Sequence, residues 1–265
     1  MPNRNDVTST AYDDYFTFFL GALSESNAAD LPCEPFIVEQ PDFLANLADL
    51  AMIYPEIAGV IFFRGFSNYE QAKETLERQQ LPYLYYGPNL NSAHDPAIPA
   101  VYHDEAAIAA LLADFLAGEN IRRVIGVGNR QVIGQCRLEL FAVEAERHGI
   151  EFSAESPDFV NDRRRLRRLA AEADAFFCTV DMVGIELMQL LERELRLRIP
   201  DDIRVIGIDN APASETIRPG LTTVDLCNFE NGRLCLRRLS EAIIAGSREP
   251  FKLNGSIRLI RRESC

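Results

Sequence analysis

The chain has 265 residues, 47% of them hydrophobic and 25% charged, and a formal net charge of -13 with a pI near 4.8. That length suits two α/β lobes better than one core; the composition excludes a disordered chain, and the charge would repel phosphate backbones, which excludes a DNA-binding module acting alone. The six cysteines, Cys33, Cys136, Cys178, Cys227, Cys235 and Cys265, form no C-x-x-C pair and several stand in apolar runs, so reduced buried thiols of a cytosolic protein are expected rather than disulfides or metal ligands.

The opening MPNRNDVTSTAYDDYF lacks the positive region and apolar core of a signal peptide, and no apolar run reaches the ~18 residues of a membrane span. A soluble, cytoplasmic chain is expected. From Asp13 to Leu23, Phe16, Phe19, Leu20 and Leu23 recur at helical spacing. Phe36-Ile37-Val38 reads as a short strand, Leu44 to Met52 as a helix and Ile57 to Phe63 as an apolar strand ending at Arg64-Gly65. Tyr69 to Gln80 reads as a helix and Pro82 to Tyr86 as a strand broken by Gly87-Pro88. Strand and helix in alternation imply parallel pairing with helices on both faces.

A second round of the pattern starts at Val101-Tyr102-His103-Asp104. It continues as helix Glu105 to Leu116, strand Val124 to Val127, helix Gly134 to His148, a strand at Phe152, helix Arg164 to Glu172, strand Ala175 to Cys178, helix Met182 to Leu197 and strand Val205 to Ile208. Two rounds of one pattern predict two similar lobes. Helix Asn228 to Ala245 and a last strand, Ser256 to Ile260, complete the chain.

The stretch Ile203 to Val224, IRVIGIDNAPASETIRPGLTTV, runs from a buried strand through Asp209-Asn210, Pro212 and Pro219-Gly220 to the β-prone Leu221-Thr222-Thr223-Val224. This order of strand-end acid, loop and Pro-x-Leu-Thr-Thr-Val resembles the effector-binding core of LacI/GalR-type transcription regulators. The ending Arg262-Glu263-Ser264-Cys265 is also similar to the family's close, so the resemblance covers nearly the whole chain. It implies an α/β fold of two Rossmann-like lobes with parallel sheets, periplasmic-binding-protein-like of type I, with three crossings near Tyr102, Val224 and Phe251. The lobes would then be residues 1–102 plus 225–250, and 103–224 plus 251–265. The family's module opens with an apolar strand before its polar loop; here Met1 to Asp6 resembles the loop alone. The family also carries a helix-turn-helix headpiece of about 60 residues for DNA binding. Loss of a central strand would leave its parallel neighbours unpaired, so the sequence reads as part of a longer chain, or one begun at an internal Met, rather than as a headless protein.

Other chemistry is weakly represented. Gly126-Val127-Gly128-Asn129-Arg130-Gln131 lacks the third glycine of a dinucleotide loop, with no acid about 20 residues on. His94, His103 and His148 stand at no metal-ligand spacing, and no G-x-S-x-G elbow is present. No cofactor, metal or catalytic residue is therefore assigned. The basic run Arg163-Arg164-Arg165-Leu166-Arg167-Arg168 reads as the solvated side of a helix whose apolar side carries Leu166, Leu169 and Ala170.

In open parallel sheets ligands bind beyond the carboxyl ends of the strands. The polar residues expected there are Asp13, Asp14, Arg64, Asp104, Asp181, Asp209 and Asn210, with Phe16, Tyr85 or Tyr86 to stack on a sugar in a chain that has no Trp. Asp104 and Asp181 also read as caps of the helices that follow them. Arg137, one turn into a helix before Phe141, and Asp209 stand where the resembled family binds its effector, while Val180 replaces the family's usual Asn before Asp181. Together these features predict a homodimeric, non-enzymatic effector domain that senses a sugar or sugar acid and reaches operator DNA only through the headpiece, with no membrane partner. A transport-associated sugar-binding protein of the same fold and an α/β enzyme are the alternatives.

Overall fold

The computed structural model describes residues 9–29, 47, 49, 52–63, 69–88, 97–129, 131–158 and 162–265. The chain divides into two compact units, one built on Glu105–Leu226 and Ile257–Cys265, the other on Tyr15–Asp104 and Cys227–Ser256. The expected strand at Phe36 to Val38 lies outside the described residues, as does most of the helix expected from Leu44 to Met52.

The first unit holds a six-stranded sheet. Its strands are β4 (Arg123–Val127), β5 (Glu151–Glu155), β6 (Ala175–Cys178), β7 (Arg204–Ile208), β8 (Thr222–Asp225) and β10 (Arg258–Ile260), in the order β10-β8-β7-β6-β4-β5. All neighbours are parallel except β10, which runs antiparallel to β8 with Leu259 opposite Val224. Successive strand residues face opposite sides, and the core follows that rule. Val124, Ala175, Phe177, Ile206 and Ile208 pack with α3 (Glu105–Gly118) and α4 (Val132–Arg147). Ile125, Val127, Phe176, Cys178 and Val205 pack on the other side with α5 (Arg163–Glu172) and α6 (Asp181–Leu195). Helices on both faces are what continuous apolar runs such as Ala175-Phe176-Phe177-Cys178 require.

The second unit repeats the arrangement on four parallel strands, β1 (Val60–Phe63), β2 (Tyr83–Pro88), β3 (Ala100–His103) and β9 (Lys252–Asn254), in that order. Tyr83, Tyr85 and Ala100 face α2 (Tyr69–Arg78), whereas Leu84, Tyr86 and Val101 face α1 (Ser9–Ala29) and α8 (Asn228–Ile244). Helices α1 and α8 approach closely: a Cβ at Gly21 would collide with the Phe229 carbonyl, and one at Gly232 with that of Phe18. Buried Glu25 of α1 ties the pair by accepting from Arg233 at 3.0 Å and from Arg237 at 2.7 and 3.0 Å.

Two expectations need correction. The family resemblance places residues 251–256 in the lobe containing Asp209, but β9 pairs with β3, Val101 opposite Leu253, so the chain leaves the four-stranded unit only after Ser256. Three residues with Lys252 and Asn254 at the ends carry too little apolar pattern to announce a strand. The loop expected after Asp209 contains a short helix, α7 (Pro212–Thr216), whose Pro212 stands at the first helical turn, where a missing N–H costs nothing. No described helix is long and apolar enough to cross a membrane.

Candidate functional site

At the carboxyl edge of the six-stranded sheet, β7 ends at Ile208, and Asp209 follows with its amide donating to the Val224 carbonyl at 2.9 Å. That bond holds Asp209 against β8 while its φ of 120° and the 54° of Asn210 turn the chain sharply away from the strand. Neither residue is glycine, and non-glycine residues rarely adopt positive φ; Asp and Asn tolerate it best, and such conformations gather at functional sites. Asp209 is 8% exposed.

Arg137 reaches the same edge from the second turn of α4 and is 5% exposed. Its Nε donates to Glu105 Oε2 at 2.9 Å and its Nη2 to Glu105 Oε1 at 3.5 Å. Its Nη1 donates to the Thr179 carbonyl at 2.7 Å and to Asp209 Oδ1 at 3.5 Å. Burial works against the guanidinium's charge, but Glu105 and Asp209 outweigh it and hold the group above the ordinary arginine range. One buried cation thus faces two buried carboxylates, Glu105 being 2% exposed. The Thr179 hydroxyl accepts from the Asn129 amide at 3.0 Å, which fixes the loop after β4 beside this group.

Asp181, the first residue of α6, lies next to Asp209 and is fully buried. Its Oδ2 accepts from the Ala211 amide at 2.9 Å and the Ser214 hydroxyl at 2.6 Å, and its Oδ1 from the Thr223 hydroxyl at 2.6 Å. Desolvation first, and the charge of Asp209 second, push its pKa up to about 7, against the three hydrogen bonds. Asn210 is half-buried; its Oδ1 accepts from Arg262 at 2.6 Å and its amide donates to Thr223 Oγ1 at 3.3 Å.

The sequence-predicted residues are placed unevenly. Arg137 and Asp209 are brought together, with Asn210 adjoining. Asp181 needs correction as a ligand contact, because no part of it is exposed and its oxygens are committed to Ala211, Ser214 and Thr223. The stacking role expected of Tyr85 or Tyr86 is also corrected. Tyr85 is 2% exposed on the α2 side of its sheet and Tyr86 is wholly buried on the other side, stacked on Phe18 at 4.4 Å between ring centroids. Phe16 is the exposed aromatic, at 58%. Asp14 is buried on α1, and Asp104 is half-buried at the end of β3. The Asp13 side chain and Arg64 lie outside the described residues. Glu105 was missed: an acid in the first turn of a helix reads as a dipole partner, and nothing in linear order ties it to Arg137. Among the described residues, no group of three His, Cys, Asp or Glu side chains could hold a metal ion.

Two α/β units, each with a parallel-dominated sheet, and a strand-end cluster of Arg137, Glu105 and Asp209 define the class of periplasmic-binding-protein-like ligand-binding domains. The chain matches the family described as periplasmic binding protein-like domain over residues 113–265, and it belongs to that family. Its relatives are LacI/GalR-family helix-turn-helix transcription regulators. The regulator CelR of Thermobifida fusca is 26% identical over 201 residues, 72% of this chain and 58% of CelR. The regulator GalR of Streptococcus thermophilus is 23% identical over 264 residues, 94% of this chain and 76% of GalR. A solved CelR–cellobiose complex shares the fold with a TM-score of 0.77 at 22% identity, over 95% of this chain and 79% of that one. The chain thus spans less than two thirds of the length of CelR.

Proposed function

We propose that the chain is the effector-binding and dimerisation domain of a LacI/GalR-type regulator, and that its effector is a small, neutral, polyhydroxylated molecule such as a sugar. The supporting observation is the pairing of Asp209 with Arg137 at the sheet edge, where a carboxylate can accept two hydroxyl hydrogen bonds in surroundings that exclude water. CelR, which shares the fold, is known as a cellobiose complex. Neutral ligands are favoured over sugar acids because, among the described residues, Glu105 and Asp209 already offset the charge of Arg137, so an added anion would meet net negative charge from this cluster at low local dielectric. The response follows by linkage: a ligand that favours one conformation of a dimer shifts the regulator's affinity for operator DNA, which would be contacted by a headpiece. Such a regulator works in the cytoplasm and has no catalytic step.

A thermal-shift screen of neutral mono- and disaccharides against the matching aldonic acids tests the reading. Neutral sugars should raise the melting temperature and the acids should not. Asp209→Ala should then weaken binding of the hit by at least tenfold, as expected for a charged hydrogen bond of about 1.5–3 kcal/mol, while the unliganded melting temperature stays near the parent's. Preference for the acids would remove the charge argument, and unchanged affinity in Asp209→Ala would remove the site.

A further inference from the structure

We propose that Asp181 is a positioning residue: a buried latch that holds the Asp209–Asn210 turn in its positive-φ form and so aims the Asp209 carboxylate at Arg137. The inference rests on the effector reading only for its consequence for affinity; the latch itself is a statement about the backbone.

The turn has no intrinsic reason to stay as it is. Asp209 at φ 120° is in a region that residues with a Cβ rarely occupy, and Asn210 at 54° follows it directly. Positive φ at successive non-glycine residues persists only where the surroundings over-determine it. On the strand side the determinant is the bond from the Asp209 amide to Val224. On the far side Arg262 holds the Asn210 side chain at 2.6 Å, and Asp181 holds the backbone that follows. One of its oxygens accepts from the Ala211 amide, the first peptide after the turn, and from Ser214 in α7, while the other accepts from Thr223 in β8. The same Thr223 hydroxyl oxygen accepts from the Asn210 amide at 3.3 Å, so Asp181 and Thr223 between them hold the amides of both residues that follow Asp209.

The space for the latch is provided in the sheet. A Cβ at residue 207 would collide with Asp181 Oδ1, so Gly207 of β7 is what lets the carboxylate lie over the strand that carries Asp209. A buried carboxylate is costly unless its oxygens are occupied. Here the donors come from the turn, from α7 and from β8, which makes release of the turn equivalent to stranding a carboxylate in the core. Asp181 is 0% exposed, and this separates positioning from contact, since no ligand reaches it in this conformation.

The groups facing Asp181 that carry or can carry charge are Asp209 at the end of β7 and the Cys178 thiol of β6, whose own pKa is raised by burial and by Asp181. Behind Asp209 stand Arg137 and Glu105. With its pKa raised to about 7 in the folded chain from the ordinary 3.8, Asp181 favours folding when protonated. That contribution is complete below pH 3.8 and is lost as pH rises through 7.

The test compares parent, Asp181→Ala and Asp181→Asn by hydrogen exchange and denaturation, with cellobiose as the ligand probe. Asn is nearly isosteric and can accept from Ala211 and Ser214 while donating to Thr223, so it should keep the turn. Ala211 amide exchange should accelerate at least tenfold in Asp181→Ala relative to the Ile206 and Ile208 amides, and should stay within threefold of the parent in Asp181→Asn. The urea midpoint of the parent should fall relative to Asp181→Asn between pH 4 and pH 7, because over that range only the parent releases the Asp181 proton on unfolding. Where the parent binds cellobiose, affinity should fall at least tenfold in the alanine variant and stay within threefold in the asparagine variant. Unchanged Ala211 exchange in Asp181→Ala overturns the latch, as does equal loss of protection in both variants. Failure of Asp209→Ala to change binding, with the exchange result intact, overturns the effector reading and leaves the latch standing.

Discussion

In the six-stranded unit the polar groups withdrawn from water at the sheet edge are ionic: Arg137 against Glu105 and Asp209, with Asp181 beside them. At the matching edge of the four-stranded unit, beside half-buried Asp104, a hydrogen-bonded cluster of Tyr86, His103, Asn228 and Asn231 is withdrawn from water. The Tyr86 hydroxyl donates to Asn228 Oδ1 at 2.7 Å and lies 2.6 Å from His103 Nε2, and Asn231 Nδ2 donates to it at 3.3 Å. With the tyrosine's one proton committed to Asn228, His103 Nε2 is the donor in its pair. Asn231 also accepts from the Ser256 amide at 2.8 Å and donates to the Ser256 carbonyl at 3.1 Å. This cluster thus ties together His103, Asn228, Asn231 and Ser256, which lie beside three of the points where the chain leaves or enters this unit.

The contrast follows from range. Neutral hydrogen bonds are short and directional, so a satisfied set fixes one geometry at little desolvation cost. Buried charges cost more to desolvate, and their mutual attraction extends several ångströms in low dielectric. Under the proposed function, a ligand's hydroxyls placed beside Asp209 would therefore be felt by Arg137 and Glu105. One edge is suited to holding chain segments; under the proposed function, the other would answer a ligand.

The largest break in this comparison is Glu105→Ala. It leaves Arg137 buried with Asp209 at 3.5 Å and the Thr179 carbonyl as its remaining partners, and removing one partner of a buried ion pair costs about 3–5 kcal/mol. Urea denaturation should show that loss, and Glu105→Ala with Arg137→Met should recover only part of it, because the guanidinium is no longer stranded but buried Asp209 loses its cation. A loss below about 1 kcal/mol would mean that water replaces the carboxylate and that this edge is not dry.

Asn231→Ala is the corresponding break in the neutral cluster. Asn231 is wholly buried, and its removal takes away the partner of both the Ser256 amide and carbonyl. Ser256 is itself exposed, so water can take up its amide and carbonyl and each lost hydrogen bond costs only about 0.5–1.5 kcal/mol; the midpoint should fall by less than in Glu105→Ala while the denaturant slope stays unchanged. Equal losses in the two variants would remove the distinction between the edges.

Much of this architecture is legible in residue order, for a local reason: Ala175-Phe176-Phe177-Cys178 is too apolar and too short for anything but a buried strand, and Asp209 follows such a strand directly. The partners of a strand-end residue are not local. Glu105 precedes Arg137 by a whole helix and strand, and only the packing of α3 beside α4 brings them within 2.9 Å. Tyr85 was misplaced because aromatic residues at a strand end read equally as stacking surface and as core; α2 supplies Ala72 and Leu76, which close that face. Asp181 was seen as a strand-end acid, but its donors at Ala211, Ser214 and Thr223 lie 30 or more residues away.

The smallest expected effect sharpens the comparison from outside the core. Helix α5 carries Arg164, Arg167 and Arg168 on its exposed side, while Leu166, Leu169 and Ala170 are buried beneath it. The helix start does not depend on these side chains: Asp162 caps it by accepting from the backbone amides of Arg164 and Arg165 at 3.0 and 3.1 Å. Arginine and glutamine have similar helix propensity, and exposed charges are screened by water and salt. Replacing all three arginines by glutamine should therefore shift the unfolding free energy by no more than about 0.5 kcal/mol, even though it makes an acidic chain more acidic. Arg137→Gln removes a single positive charge, yet it leaves Glu105 and Asp209 facing each other without water and should cost several times as much. If the triple variant proved the more damaging, total charge would govern stability in this chain. If Arg137→Gln did, burial would.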